Sequence, residues 1–310
     1  MTWPDRVTIV EVGPRDGFQV ELEFIPTELK IDVVDAVARA GVSKIETTSF
    51  VSPRAVPQMA DATEVFASIH RRPGTRYTAL VPNLKGVELA LGAGADGVRL
   101  VVTTTETYNR KNVGMTVDES FEVCRQILRR VEGESIAVEA VIALAFGCPF
   151  EGPVSEDRVA EMAHRFTDMG IDELSIADSV GLGNPTMISS TMTRLLSELP
   201  GIAFSMHLHD TRGLGLVNAV AAMRVGIDTF DASIGGLGGC PVFPNGAGNI
   251  ATEDLANLCE EMGIDTGVDI AAIQAVSTRM QDFLDRKLPS RVLLAGTPGQ
   301  LYAKIRKEAE

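Results

Sequence analysis

Four segments of the chain repeat one pattern of apolar and polar positions. AGVSKIETTSF (40–50), AGADGVRLVV (93–102), MGIDELSIAD (169–178) and VGIDTFDASI (225–234) each place a glycine behind a helical stretch, then a short apolar run. A glycine there suits the left-handed turn that closes a helix, and the β-branched run behind it reads as a strand. The stretches in front have helical spacing. Val159, Met162, Ala163 and Phe166 fall at i, i+3, i+4 and i+7, and Thr116 with Glu119 forms a capping box before Phe121, Cys124 and Leu128. Further strands are expected at VTIVEV (7–12), TRYTALV (75–81), SIAVEAVIAL (135–144) and IAFSMHLH (202–209). Eight strands, nearly all separated by room for a helix, predict a parallel sheet with right-handed crossovers. The expected fold is an α/β (β/α)8 TIM barrel, a single domain over 1–310. From about Glu253 additional C-terminal helices follow, AAIQAVSTRMQDFLDRK (271–287) being the clearest. A doubly wound open sheet is the runner-up, but no G-x-G-x-x-G follows the first strand.

Composition narrows the classes. With 310 residues, 45% of them hydrophobic, the chain can bury a large core and is long for an average domain, which a barrel accommodates as one unit. A formal charge of −14 argues against nucleic acid, whose phosphates need a basic face. An anionic ligand would have to be welcomed locally, by a metal ion or a placed arginine. No apolar run reaches the ~18 residues of a membrane span, and MTWPDRVTIVEV lacks a basic-then-apolar leader. Cys124, Cys148, Cys240 and Cys259 show no CxxC spacing. A reduced, cytoplasmic protein is expected, with no membrane partner. Nothing in the sequence sets the oligomeric state, and a homodimer stays open.

The chemistry-bearing residues collect where a barrel keeps its chemistry, at the C-terminal ends of strands. Arg15 and Asp16 follow strand 1, Glu46 lies in strand 2, Asp178 ends strand 6, and MHLHD (206–210) ends strand 7 with two of the chain's four histidines. Strand side chains alternate, so His207 and His209 share a face while Asp210 points away. An isolated HxH is as often a pair of core histidines, but here the rim position and nearby carboxylates favour a metal. Asp16 is the best further ligand, and Asn249 in NGAGN offers an amide oxygen. Mixed nitrogen and oxygen donors without thiolate suit Mg²⁺ or Mn²⁺; a facial-triad Fe(II) is the weaker alternative. Arg15, a planar fork beside glycines, would face a carbonyl or carboxylate, with Glu46 either holding it or serving as a buried partner. GGLGGCP (235–241) fits a turn of positive φ, a phosphate cradle, or a flap whose Cys240 hands a proton to substrate.

At these residues the chain resembles the 3-hydroxy-3-methylglutaryl-CoA lyase family, within the wider barrel family of isopropylmalate, citramalate and homocitrate synthases. The wider group shares RDGFQ (15–19) and the HxH pair. The lyase branch is marked by SFVSPRAVPQMAD (49–61), NVGMTVDES (112–120), FGCPFEG (146–152), HLHDTRG (207–213), GLGGCP (236–241) and GNIATEDL (248–255), in order along nearly the whole chain. The resemblance implies cleavage of a 3-hydroxyacyl-CoA to acetyl-CoA and a keto acid. It places Asp16, His207, His209 and Asn249 on a divalent cation, with Arg15, Glu46 and Asp178 in the catalytic site and Cys240 as the mobile-loop thiol. There are departures from the pattern. Val20 stands for asparagine, Arg212 for tyrosine, Ser179 for threonine, and VFPNGAGN (242–249) for the more common YAxGASGN. None removes a ligand, and Val20 puts the identity of the acyl group in question.

Overall fold

The computed structural model describes residues 3–239 and 247–308. The expectations for Cys240 and for 242–246 lie outside the described residues. Eight strands run in parallel and in sequence order: β1 (Thr8–Glu11), β2 (Lys44–Ser49), β3 (Arg76–Leu80), β4 (Gly97–Thr103), β5 (Ala137–Ala143), β6 (Glu173–Asp178), β7 (Ala203–Leu208) and β8 (Thr229–Ala232). Every neighbour pair is hydrogen-bonded, and β8 closes on β1 through Thr8–Thr229 to Glu11–Ala232, so the sheet is a barrel with no edge. All eight expected strands are present.

Helices cover the outside: α1 (Thr27–Arg39), α2 (Ala62–Ser68), α3 (Leu84–Gly92), α4 (Glu106–Val113), α5 (Val117–Val131), α6 (Glu156–Thr167), α7 (Pro185–Glu198) and α8 (Gly215–Met223). Local sequence explains their limits. The Thr116 hydroxyl accepts from Glu119 N while the Glu119 carboxylate accepts from Thr116 N, which satisfies two orphan amides at the start of α5. The glycines of the four repeated segments, Gly41, Gly94, Gly170 and Gly226, all have positive φ behind their helices. Val159, Met162, Ala163 and Phe166 form the buried stripe of α6, and Phe166 meets Phe121 of α5 with ring centroids 4.7 Å apart. Burying such a ring contributes about 1.5–3 kcal/mol.

Past the barrel come α9 (Thr252–Glu261), α10 (Ile270–Phe283), α11 (Arg291–Ala295) and α12 (Pro298–Glu308). Helix α10 packs on α1 and on the turn that follows β8, bracing that end of the barrel.

The barrel interior departs from the branched aliphatic layers usual in this architecture. Arg99, Glu46, Glu139 and Asp231 are all buried inside it. They are tolerated because Arg99, together with Arg15 on Glu46 and Lys44 on Glu139, balances the three carboxylates. Arg99 meets Asp231 at 2.7 Å, Glu139 at 3.2 Å and Glu46 at 3.6 Å. Near the N-terminal end of the barrel Lys44 bridges Glu139 and Glu173, and Arg76 joins Glu173.

Candidate active site at the C-terminal rim

Asp16 sits on a single wide helical turn, Gly13–Gly17, where the amides of Arg15, Asp16 and Gly17 all reach back to Val12 O. Such wide turns recur at functional sites because they re-aim side chains. Here the turn directs Arg15 and Asp16 into the barrel mouth, both buried. In β2 the register against β3 shifts between Glu46 and Thr48, and Glu46 faces Arg15 with Oε2 at 2.7 Å from Nη2. Arg15 Nη1 also meets Asp16 Oδ1 at 2.6 Å. Burial opposes the charge on Arg15, but Glu46 and Asp16 outweigh it and hold its pKa above the usual value. For Asp16 burial is likewise outweighed, by Arg15 and then the two histidines, and its pKa is lowered. Glu46 therefore holds the arginine in place.

His207, in β7, and His209, just beyond it, do share a face, and their Nε2 atoms approach to 3.0 Å. Asp16, His207 and His209 each offer a ligand atom, all within 4.8 Å of one another. Asn249 arrives through an antiparallel bridge with His209, reinforced by Ile250 N donating to Leu208 O and Asp210 N to Gly248 O. Its Nδ2 donates to Asp16 Oδ2 at 2.7 Å and to Leu237 O at 3.0 Å. Its Oδ1 is buried and has no hydrogen-bond partner among the described residues. An acceptor oxygen left without a donor, beside two converging imidazole nitrogens and a carboxylate, fits a cation of the oxygen- and nitrogen-loving class. Burial, with His207 as the next cause, pushes the His209 pKa down to about 3, so it is a neutral donor at physiological pH.

Asp210 turns away, as expected, and accepts from Gly215 N at 2.7 Å. Asp178 is buried at the end of β6 and accepts from Leu182 N and Gly183 N, which ties the following loop to the rim. Burial raises its pKa despite those amides. Gly235, Gly236 and Gly238 have positive φ, as the turn reading expects. Arg212 donates to the carbonyls of Val180 and Gly181 on that same β6 loop. Ser179 lines the mouth, and Val20 lies beside Gly239.

These groups open into a cavity of about 630 Å³, which runs outward past Tyr108, Asn112 and Met115. An open groove of about 890 Å³ between α7 and α8 is lined by serines, threonines, small apolar residues and Arg194 and Arg224, away from the rim cluster. Sequence reasoning missed Arg99 and Asp231. Their signal was present as single charges within the apolar runs GVRLVV and TFDA, but their meeting across the barrel was not.

The fold is a closed TIM barrel, and its chemistry-bearing groups gather at the C-terminal mouth. Comparison makes the class specific. Residues 6–280 match the HMGL-like family model. The mitochondrial hydroxymethylglutaryl-CoA lyase of Homo sapiens is 42% identical over 294 residues, which cover 95% of this chain and 90% of that protein. Two solved structures superpose closely. An HMG-CoA lyase from Acinetobacter baumannii in complex with coenzyme A and 3-methylmalate has a TM-score of 0.92 at 40% identity, covering 96% and 97% of the two chains. The hydroxymethylglutaryl-CoA lyase from Pseudomonas aeruginosa also has 0.92, at 38% identity, covering 98% and 100%. The chain belongs to the HMGL-like family, and it is a carbon–carbon lyase. No helix among the described residues is long and apolar enough to cross a membrane.

Proposed function

We propose that the chain cleaves 3-hydroxy-3-methylglutaryl-CoA to acetyl-CoA and acetoacetate, with Mg²⁺ or Mn²⁺ held by Asp16, His207, His209 and Asn249. The observation that carries the reading is the convergence of Asp16, His207 and His209, whose ligand atoms lie within 4.8 Å of one another beside Arg15, with Asn249 bonded to Asp16 through Nδ2 and its Oδ1 left without a partner. The coenzyme A in the Acinetobacter structure supports an acyl-CoA substrate. The bound cation would acidify the substrate's tertiary hydroxyl and orient it. Asp16, or a water it holds, takes the hydroxyl proton. The pair of the breaking carbon–carbon bond moves onto the thioester as an enolate, and the other half leaves as the keto acid. Arg15, fixed by Glu46, stabilises the charge growing on the thioester oxygen. Cys240 then delivers a proton to the enolate carbon, giving acetyl-CoA. Asp178 contributes by fixing the β6 loop at the mouth.

Val20 beside Gly239 presents an apolar surface at the mouth and favours a second reading on the same machinery, a citramalyl-CoA or bulkier 3-hydroxy-3-alkylglutaryl-CoA substrate. A panel of 3-hydroxyacyl-CoA esters with Mg²⁺ or Mn²⁺, followed by acetyl-CoA release, tests both. Cleavage of the methylglutaryl ester in preference to the others is expected. Condensation of acetyl-CoA with an α-keto acid, without cleavage of any ester, would show a synthase instead. Cys240→Ala should lower kcat about 10²–10⁴-fold; turnover at the parental rate would remove the cysteine from the mechanism.

A further inference from the structure

We infer that Asp231 and Arg99 are positioning residues for His207, fixing which of its ring nitrogens faces the cation. The inference rests on the metal reading above. His207 Nδ1 lies 3.1 Å from Asp231 Oδ2. Both oxygens of that carboxylate accept from Arg99, Oδ2 from Nη1 at 2.7 Å and Oδ1 from Nη2 at 2.8 Å. Arg99 and Asp231 are fully buried, and His207 nearly so. A carboxylate held by a fork of two donors is itself only an acceptor, so the ring nitrogen facing it must carry the proton. The lone pair of His207 is thereby left on Nε2, which is the atom directed at His209 and Asp16.

The two histidines are not equivalent. His209 Nδ1 has no hydrogen-bond partner among the described residues, so only His207 is braced from behind. Arg99 cannot swivel away from its task, because Nε is held by Glu139 at 3.2 Å and Glu139 by Lys44 at 2.6 Å. The same guanidinium lies 3.6 Å from Glu46, the residue that holds Arg15. One arginine from β4 thus reaches both arms of the site, a ligand through Asp231 and the oxyanion-facing cation through Glu46. Partners behind metal-binding histidines commonly set affinity in this way.

The test measures Mn²⁺ binding from the electron paramagnetic resonance of free Mn²⁺, with fold checked by circular dichroism. Asp231→Asn, which keeps the shape and removes the charge, should weaken Mn²⁺ binding about 10–100-fold. Asp35→Asn, on α1 and outside this network, breaks a buried carboxylate's contact with His70 and should bind Mn²⁺ within about twofold of the parent; an equal loss there would make the effect one of general packing and overturn the assignment. A folded Asp231→Asn protein with parental affinity would overturn it too. If that variant does not fold, ¹⁵N-histidine NMR of the parent decides: a proton on His207 Nδ1 supports the inference, and a proton on Nε2 refutes it. A parent protein that binds no Mn²⁺ would instead defeat the metal reading itself.

Discussion

Single buried carboxyls behave in opposite ways in this barrel, depending on what faces them. Asp231 lies inside the barrel with its pKa lowered, because Arg99 outweighs the effect of burial. Glu11, at the end of β1, has no cation, and burial pushes it up to about 8. Its Oε1 accepts from Gly13 N and Ile234 N, and its Oε2 from the Thr252 hydroxyl, so it stitches β1 to the turn after β8 and to α9. Between its ordinary value of 4.5 and about 8, Glu11 binds a proton in the folded state alone. Each unit of rising pH across that window therefore removes about 1.4 kcal/mol of stability, which is fully present below the window and lost above it. Glu253, raised by burial to about 7, adds to the slope up to that point. Glu11→Gln should flatten the fall in urea-unfolding free energy between pH 5 and 8. Parallel curves for parent and variant would show that Glu11 is ionised throughout. Neither Glu11 nor Asp231 could be ranked from sequence, since a lone charge in a strand reads the same whether or not a cation lies across the barrel.

Among the elements, the helices were legible because their stop and start signals are local. A capping box, an Asx cap or a glycine at the C-terminus acts within one turn, and α5 and α6 form where such signals place them. The segment after β8 is different. Its glycines allow two stretches of backbone to cross in contact beside the ligands. A Cβ at Gly248 would lie 2.3 Å from the carbonyl carbon of Gly238, and one at Gly238, where φ is +119°, would lie 2.5 Å from Asn249 Nδ2. The three nearest obstacles to a side chain at position 248 are all backbone atoms of Gly238 and Gly239, so Gly248→Ala must move one stretch and with it Asn249. Mn²⁺ affinity should fall about tenfold or more with the circular dichroism unchanged. Retained affinity would mean that Asn249 is not needed on the ion. The glycine run itself could be read as a turn, a cradle or a hinge; only the crossing shows why glycine is required at 238 and 248.

For the molecule as a whole, the proposed cation would couple chemistry to stability. The proposed ligand set, drawn from the turn after β1, the end of β7 and the segment after β8, is assembled in the folded state alone, so a bound ion would favour that state. Mn²⁺ at 100 times its dissociation constant should add about 2.7 kcal/mol, which for a chain of this size raises the melting temperature by roughly 4 °C, reversibly by chelation. No change on adding Mn²⁺ would count against the site. Periodicity and turn chemistry along the chain sufficed for eight strands, their helices and the barrel, because each element is decided by neighbours a few residues away. The HxH pair and Asp16 were legible for a related reason, since strand alternation and rim position are also local rules. Tertiary structure alone decided that Arg99 of β4 meets Asp231 of β8, that Glu46 holds Arg15, and that the Asn249 oxygen is left without a donor. The first of these contacts joins residues 132 positions apart, and the Asn249–Asp16 bond spans 233. They depend on barrel closure, which brings together side chains that no local pattern relates.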